Sequence, residues 1–158
     1  MAIKKKEVDA AMVLHKIQNF CSYQERCIRD IERKLRDWTV QKKLIPVIID
    51  QLQKDGYLNE ARFALAFASG KFRINKWGRQ KIEFEMRLRG LTEPMIRIGL
   101  KEIDEEEYRR VLHSTIIKKL KELIADNDPN IREKLISSVH GKGFEMDLII
   151  AAADELKL

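Results

Sequence analysis

Residues 31–52 read IERKLRDWTVQKKLIPVIIDQL, and the apolar positions of this stretch recur twice along the chain. Ile31, Leu35, Val40, Ile45, Ile49 and Leu52 align with Ile82, Met86, Leu91, Ile96, Leu100 and Ile103, each 51 residues further on. Another 53 residues on, the same slots hold Leu135, Val139, Phe144, Ile149, Ala153 and Leu156. Slots kept through three copies mark stacked supersecondary units. Each copy reads as a helix, a short turn and a second helix, with a third helix following in the first two. No alternating strand pattern appears. The expectation is all-α: an elongated tandem array of three helical repeats, the third truncated, with about eight or nine helices. The divisions expected are an N-terminal tail and helix at 1–21, then repeats at 22–73, 74–126 and 127–158.

Composition agrees with that class. Of 158 residues, 44% are hydrophobic and 35% charged, with seven Gly and three Pro, a balance that suits helices and can bury a core without staples. No run of about 18 apolar residues is present to cross a membrane. The N-terminal MAIKKKEVDAAMVLHKIQNF lacks the uninterrupted apolar segment and cleavage site of a signal peptide, so a cytoplasmic location is expected. Cys21 and Cys27 lie about 240° apart around a helix, and His15, His113 and His140 are scattered. Neither a metal site nor a cofactor is expected from such spacing.

Local signals place the elements. Val8, Ala11, Met12, His15 and Phe20 suggest an amphipathic helix over 7–20, preceded by a solvated Lys4-Lys5-Lys6 tail. The capping box from Ser22 to Glu25 predicts the next helix near Ser22, with Ile28, Ile31, Leu35 and Trp38 facing inward. Leu44, Ile45, Ile48, Ile49 and Leu52 carry a further helix that Gly56 terminates. Pro46 requires that helix to begin just before it or to kink. Asn59 caps a helix with Phe63, Ala64, Phe67 and Ala68 inside, loosening at Gly70. Asp104 caps a long helix that buries Tyr108, Val111, Leu112, Thr115, Ile116 and Leu120. Asp128-Pro129 reads as a cap with proline at the first helical position.

No catalytic motif emerges. Phosphate-cradling glycine loops, His-Glu-x-x-His, a serine elbow and a Cys–His arrangement are all missing from the pattern. Glu105, Glu106 and Glu107 read as first-turn charges that favour the helix dipole. The chain is therefore expected not to be an enzyme. Charge instead concentrates in Lys71–Leu91, with seven basic and two acidic residues, a net +5 in a chain of net +6. Within it, Arg79–Glu83–Arg87 and Lys81–Glu85–Arg89 form i, i+4 ladders, which solvated helices commonly carry. Lys71, Arg73 and Lys76 have no acidic neighbour in sequence and sit beside Phe72 and Trp77. They are the leading candidates for contact with phosphate or carboxylate, on a connector between repeats. Arg79, Arg87, Arg89, Arg33 and Arg36 are supporting candidates. A helix-turn-helix reading fits poorly, because the second helices are mostly apolar.

Several of these segments resemble the RecX family of recombination regulators. The first copy reads SYQERCIRDIERKLRDW and then VIIDQLQKDGYLNEARFA, with Gly56-Tyr57-Leu58 and Arg62-Phe63-Ala64 at the family's turn and Arg-Phe-Ala positions. FRINKWGRQKIEFEMRLRGL is similar to the family's central segment through Trp77-Gly78, Lys81-Ile82, Met86 and Arg89-Gly90-Leu91. The likeness covers roughly residues 22–100 best. Met86 replaces the usual leucine, Arg89 the usual lysine, and Trp38-Thr39 stands where Lys-Gly is common. The resemblance implies a non-enzymatic, three-repeat helical protein of the bacterial cytoplasm that binds RecA; a monomer without a membrane partner is expected. Family members lie in the groove of the RecA–DNA filament and lower its ATPase, strand-exchange and co-protease activities. The other function read from the residues is direct binding to DNA through the basic connector, with no obligate RecA partner.

Overall fold

Caps and glycines decide where each helix stops. The structure, a computed structural model, describes residues 9–158. The expected Lys4-Lys5-Lys6 tail and Val8 lie outside the described residues. Nine α-helices follow among the described residues: α1 (Ala10–Tyr23), α2 (Ile28–Asp37), α3 (Ile45–Lys54), α4 (Glu60–Arg73), α5 (Arg79–Leu88), α6 (Glu93–Lys101), α7 (Glu105–Ala125), α8 (Ile131–Gly141) and α9 (Met146–Glu155). No strand occurs among them, and none of these helices is long and apolar enough to cross a membrane. The chain divides into a compact unit ending at Phe63 and a second from Ala64 to Leu158.

The repeated slots are the core. All are buried except Leu100, Ile103 and Leu156, which are partly buried. Burying a side chain of this kind contributes about 1.5–3 kcal/mol, so the repeat pattern accounts for much of the hydrophobic drive to fold. In the first unit these slots join Val13, Ile17 and Cys21 of α1 in one cluster. In the second, Phe72, Tyr108 and Phe144 form a fully buried aromatic row, with ring centroids 5.7 and 5.4 Å apart.

Three local expectations are corrected. α1 runs to Tyr23, and Ser22 Oγ donates to the Gln18 carbonyl within it, so no helix opens at Ser22. α2 opens at Ile28, where Asp30 accepts the Cys27 amide at 3.2 Å. The inward face of α1 is Val13–Ile17–Cys21, while Met12 is 57% exposed and Ala11 and His15 are exposed. Both stripes have helical spacing, and packing on Ile31 and Leu35 selects the more apolar one. Pro129 lies in a turn before α8, which opens at Ile131. Asp128 accepts the Asn130 amide at 2.9 Å and pairs with Lys134.

Other local readings hold. Pro46 sits in the first turn of α3, after a 3-10 turn at Lys42–Leu44, so its missing N–H removes no helical bond. Asn59 Oδ1 accepts the Arg62 amide at 3.0 Å, and Asp104 accepts that of Glu107 at 2.9 Å.

The turn after the first helix of each slot pattern uses the left-handed backbone three times, at Thr39 (φ 55°), Gly90 (φ 79°) and Gly143 (φ 95°). These positions keep the 51 and 53 offsets. Thr39 is the odd member, a β-branched residue where φ is positive. Thr39→Gly is therefore expected to raise stability by roughly 0.5–1 kcal/mol, the net of relieved strain and glycine's extra entropy. Urea unfolding monitored by circular dichroism tests this, and an unchanged or lower midpoint would count against it.

Candidate binding surface

The expectation that Lys71, Arg73 and Lys76 share a connector is corrected. Lys71 and Arg73 lie in the last turn of α4, because Phe72, only 2% exposed, packs on Tyr108 and carries the helix through Gly70. Lys76 alone of the trio stands in the connector, with φ 57°, and closes α4 by donating its amide to the Phe72 carbonyl at 3.1 Å. Arg73 has no acidic neighbour in sequence, but in the fold its Nε lies 3.7 Å from Glu107, on α7.

The remaining candidate arginines are mostly engaged within the fold. Arg87 is held by Glu83 on α5 and by Glu93 at 2.6 Å. Arg89 pairs with Glu85 at 2.7 Å and lies 4.6 Å from the Phe67 ring centroid. Arg36 makes a loose 3.5 Å pair with Glu32, and Arg33 is exposed on α2.

Arg79 leaves its ladder altogether. Its Nη1 donates to Glu105 at 2.8 Å, its Nε donates to Glu145 at 2.9 Å, and its guanidinium covers the Tyr108 ring at 3.8 Å. Tyr108, fully buried, donates its hydroxyl to Glu145 at 2.6 Å and accepts the Arg79 amide at 3.1 Å. Burial raises the Tyr108 pKa first, and the bond to Glu145 raises it further. The hydrogen bond from Arg79 holds Glu105 below its ordinary value. Burial disfavours the Arg79 charge, but the carboxylates outweigh that and its pKa is raised. Beside this clasp, Gly78 donates its amide to the Lys142 carbonyl at 2.8 Å, and Gln80 donates to that of Gly143 at 2.9 Å. Arg79 is thus a tie between α5, α7 and the start of α9.

What remains available on α4 and α5 is a set of lysines around a tryptophan. Lys71 Nζ lies 5.0 Å from the Trp77 ring centroid and 5.6 Å from that of Phe67, while Lys81 Nζ lies 4.5 Å from Trp77. Lys71, Lys76 and Lys81 form no ion pair among the described residues, even though Lys81 is one helical turn from Glu85. A cation over a ring is attracted to its face while its outward N–H groups stay free to meet an anion. Sequence reasoning missed Lys81 and Phe67 as members of this surface.

A signal for them existed in the repeat. In the first unit Arg26 lies 3.7 Å over the Phe20 ring and Lys16 lies 6.0 Å from Trp38. Moving 51 residues on turns these pairs into Trp77 with Lys71 and Arg89 with Phe67, so ring and cation exchange places. A cation–π contact survives that exchange, which marks these pairs as joints between neighbouring helices. Lys81 has no such counterpart, because Asp30 occupies its slot and caps Cys27.

Chemistry elsewhere is sparse. Burial pushes the Cys27 thiol up to about 11 and raises that of Cys21, which disfavours reactive thiolates. Among the described residues no group of three or more His, Cys, Asp or Glu is placed to hold a metal ion.

Comparison with known proteins shows what this arrangement is similar to. Residues 59–100 match the family model described as RecX, second three-helix domain. That span takes in α4, α5 and α6, so the family's domain opens on the helix that closes the 22–73 division read from sequence. The chain is 27% identical over 139 residues to regulatory protein RecX of Bacillus cytotoxicus, covering 88% of this chain and 52% of the relative. It is 27% identical over 163 residues to that of Lactobacillus gasseri, covering 99% and 57% respectively. The chain thus spans about half the length of the curated relatives it matches. A crystal structure of RecX from Lactobacillus salivarius shares the fold, with TM-score 0.80 at 21% identity over 93% of this chain and 96% of that one. A second crystal structure of regulatory protein RecX gives TM-score 0.82 at 19% identity, over 91% of this chain and 71% of the other. A matched second three-helix domain and relatives that share one name make this chain similar to the RecX regulatory proteins, and the solved RecX structures share its all-helical fold.

Proposed function

We propose that this protein is a non-catalytic regulator that binds the RecA recombinase on DNA and inhibits its ATPase, strand-exchange and co-protease activities by occupying the filament groove. In this reading it acts in the bacterial cytoplasm as a monomer and uses no cofactor. The observation that carries the site is Lys71 and Lys81 over the Trp77 ring, with Lys76 next to it in sequence, none of the three in an ion pair among the described residues. A filament groove presents phosphate and protein carboxylate together, and lysines with free N–H groups meet either.

The test compares wild type with Lys71→Glu/Lys76→Glu/Lys81→Glu in RecA ATP hydrolysis on single-stranded DNA. Arg73 is left intact because Glu107 already engages it. Wild type should depress steady-state hydrolysis, and the triple variant should need about tenfold or more protein for the same effect, a difference of about 1.4 kcal/mol. Unchanged hydrolysis at several-fold excess of wild type would overturn the reading. Trp77 between two lysines also favours a second reading, direct binding of nucleic acid, since stacked bases and phosphates suit such a surface. Affinity for bare duplex should then fall with salt by a log–log slope of about 0.9 per phosphate neutralised. Shallow, weak binding to bare DNA beside tight binding to the filament separates the two.

A further inference from the structure

α5 carries two large apolar side chains that stand largely outside its own core. Phe84 is 57% exposed and Leu88 is 54% exposed. They are four residues apart, so they lie on one face of the helix. The inward face of the same helix is filled by Ile82 and Met86, both fully buried. The repeat shows that the fold has no need of the outer pair. In the first copy the Phe84 and Leu88 positions hold Arg33 and Asp37, and in the third they hold Ser137 and Gly141. Polar or absent side chains serve the same helix elsewhere, so the repeat's core does not require Phe84 and Leu88.

We infer that Phe84 and Leu88 form a docking face for a partner protein: an apolar cleft bordered by carboxylates. The charge around the pair selects that occupant. Lys81 lies one turn before Phe84 on the same side of α5 and makes no ion pair among the described residues. Arg87, on the other flank, is already neutralised by Glu83 and Glu93. The face is therefore apolar with a cationic edge toward Trp77. Half-exposed aromatic and aliphatic side chains become energetically useful when a partner excludes water from them. A duplex backbone offers Phe84 and Leu88 no comparable cleft, whereas a folded protein does.

The inference deepens the proposed function, on which the choice of RecA filament as probe rests. The experiment measures binding of wild type and of Phe84→Ser/Leu88→Ser to RecA filaments on single-stranded DNA, and to the same DNA bare. Both substitutions fall on an exposed face, and a retained circular dichroism melt confirms the fold. Wild type should bind the filament, and the double variant about tenfold or more weakly, with affinity for bare DNA equal in the two. Equal filament binding by both proteins overturns the docking face and leaves the proposed function standing. A matching loss on bare DNA overturns it too, because the contact is then to nucleic acid. Failure of wild type to bind the filament overturns the proposed function, and the docking face for that partner with it.

Discussion

Gly78→Ala is expected to lower the unfolding free energy by about 3 kcal/mol or more. A Cβ at Gly78 would lie 2.3 Å from the Gly143 carbonyl carbon, its oxygen and the Phe144 nitrogen. These are backbone atoms, so no side chain can swing aside. The start of α5 must retreat from the turn between α8 and α9, and retreat stretches the Gly78 and Gln80 amide bonds to Lys142 and Gly143. The turn cannot yield easily either. Gly143 has φ 95°, and a Cβ there would meet Lys81 backbone nitrogen at 2.5 Å. Gly70→Ala is the matched control. Gly70 is inside α4, and a methyl added there would have nothing within 4 Å, so alanine should stabilise by about 0.5–1 kcal/mol. Chemical denaturation of both variants tests the pair. A Gly78→Ala midpoint within error of wild type would show that the close approach is dispensable.

That contact shows where sequence legibility ends. Gly78 and Gly143 are 65 residues apart, and no local signal predicts that they meet. The slots from Ile31 to Leu156 are legible because each repeat must bury the same face, and burial leaves a period in the sequence. Caps such as Asn59 and Asp104 are legible because donor and acceptor lie within three residues. Ser22 fails as a cap because Cys21 has a tertiary reason to stay helical, in the core with Val13 and Ile17. Long-range ion pairs leave no trace at all. Arg73 finds Glu107 and Arg79 finds Glu145 only after the helices pack. Lack of an acidic sequence neighbour is therefore an incomplete criterion for an available cation. Lys71 and Lys76 survive it, Arg73 does not, and Lys81 enters in its place.

Arg79→Met should cost about 2–3 kcal/mol of stability without a direct loss of partner contacts. The side chain is 26% exposed, and Glu145 opposite it 24% exposed, so solvent screens the pair only in part. Removing the guanidinium leaves Glu145 with the Tyr108 hydroxyl alone and strips the cation from the Tyr108 ring. Arg79→Lys should recover less than half of the loss, because an ammonium cannot span Glu105 and Glu145 with a planar fork. Tyr108→Phe should cost about 1–2 kcal/mol, since the Arg79 amide and Glu145 each lose a partner in a poorly hydrated place. A double-mutant cycle of Arg79→Met with Glu145→Gln separates the tie from a binding role. A coupling of about 1 kcal/mol or more in unfolding identifies Arg79 as part of the clasp. The opposite result, full stability with RecA inhibition lost, would return Arg79 to the binding surface. The clasp joins the first turns of α5, α7 and α9. Arg79 itself makes no proposed partner contact, so any loss of inhibition by Arg79→Met should track the fraction unfolded and vanish when that fraction is corrected for.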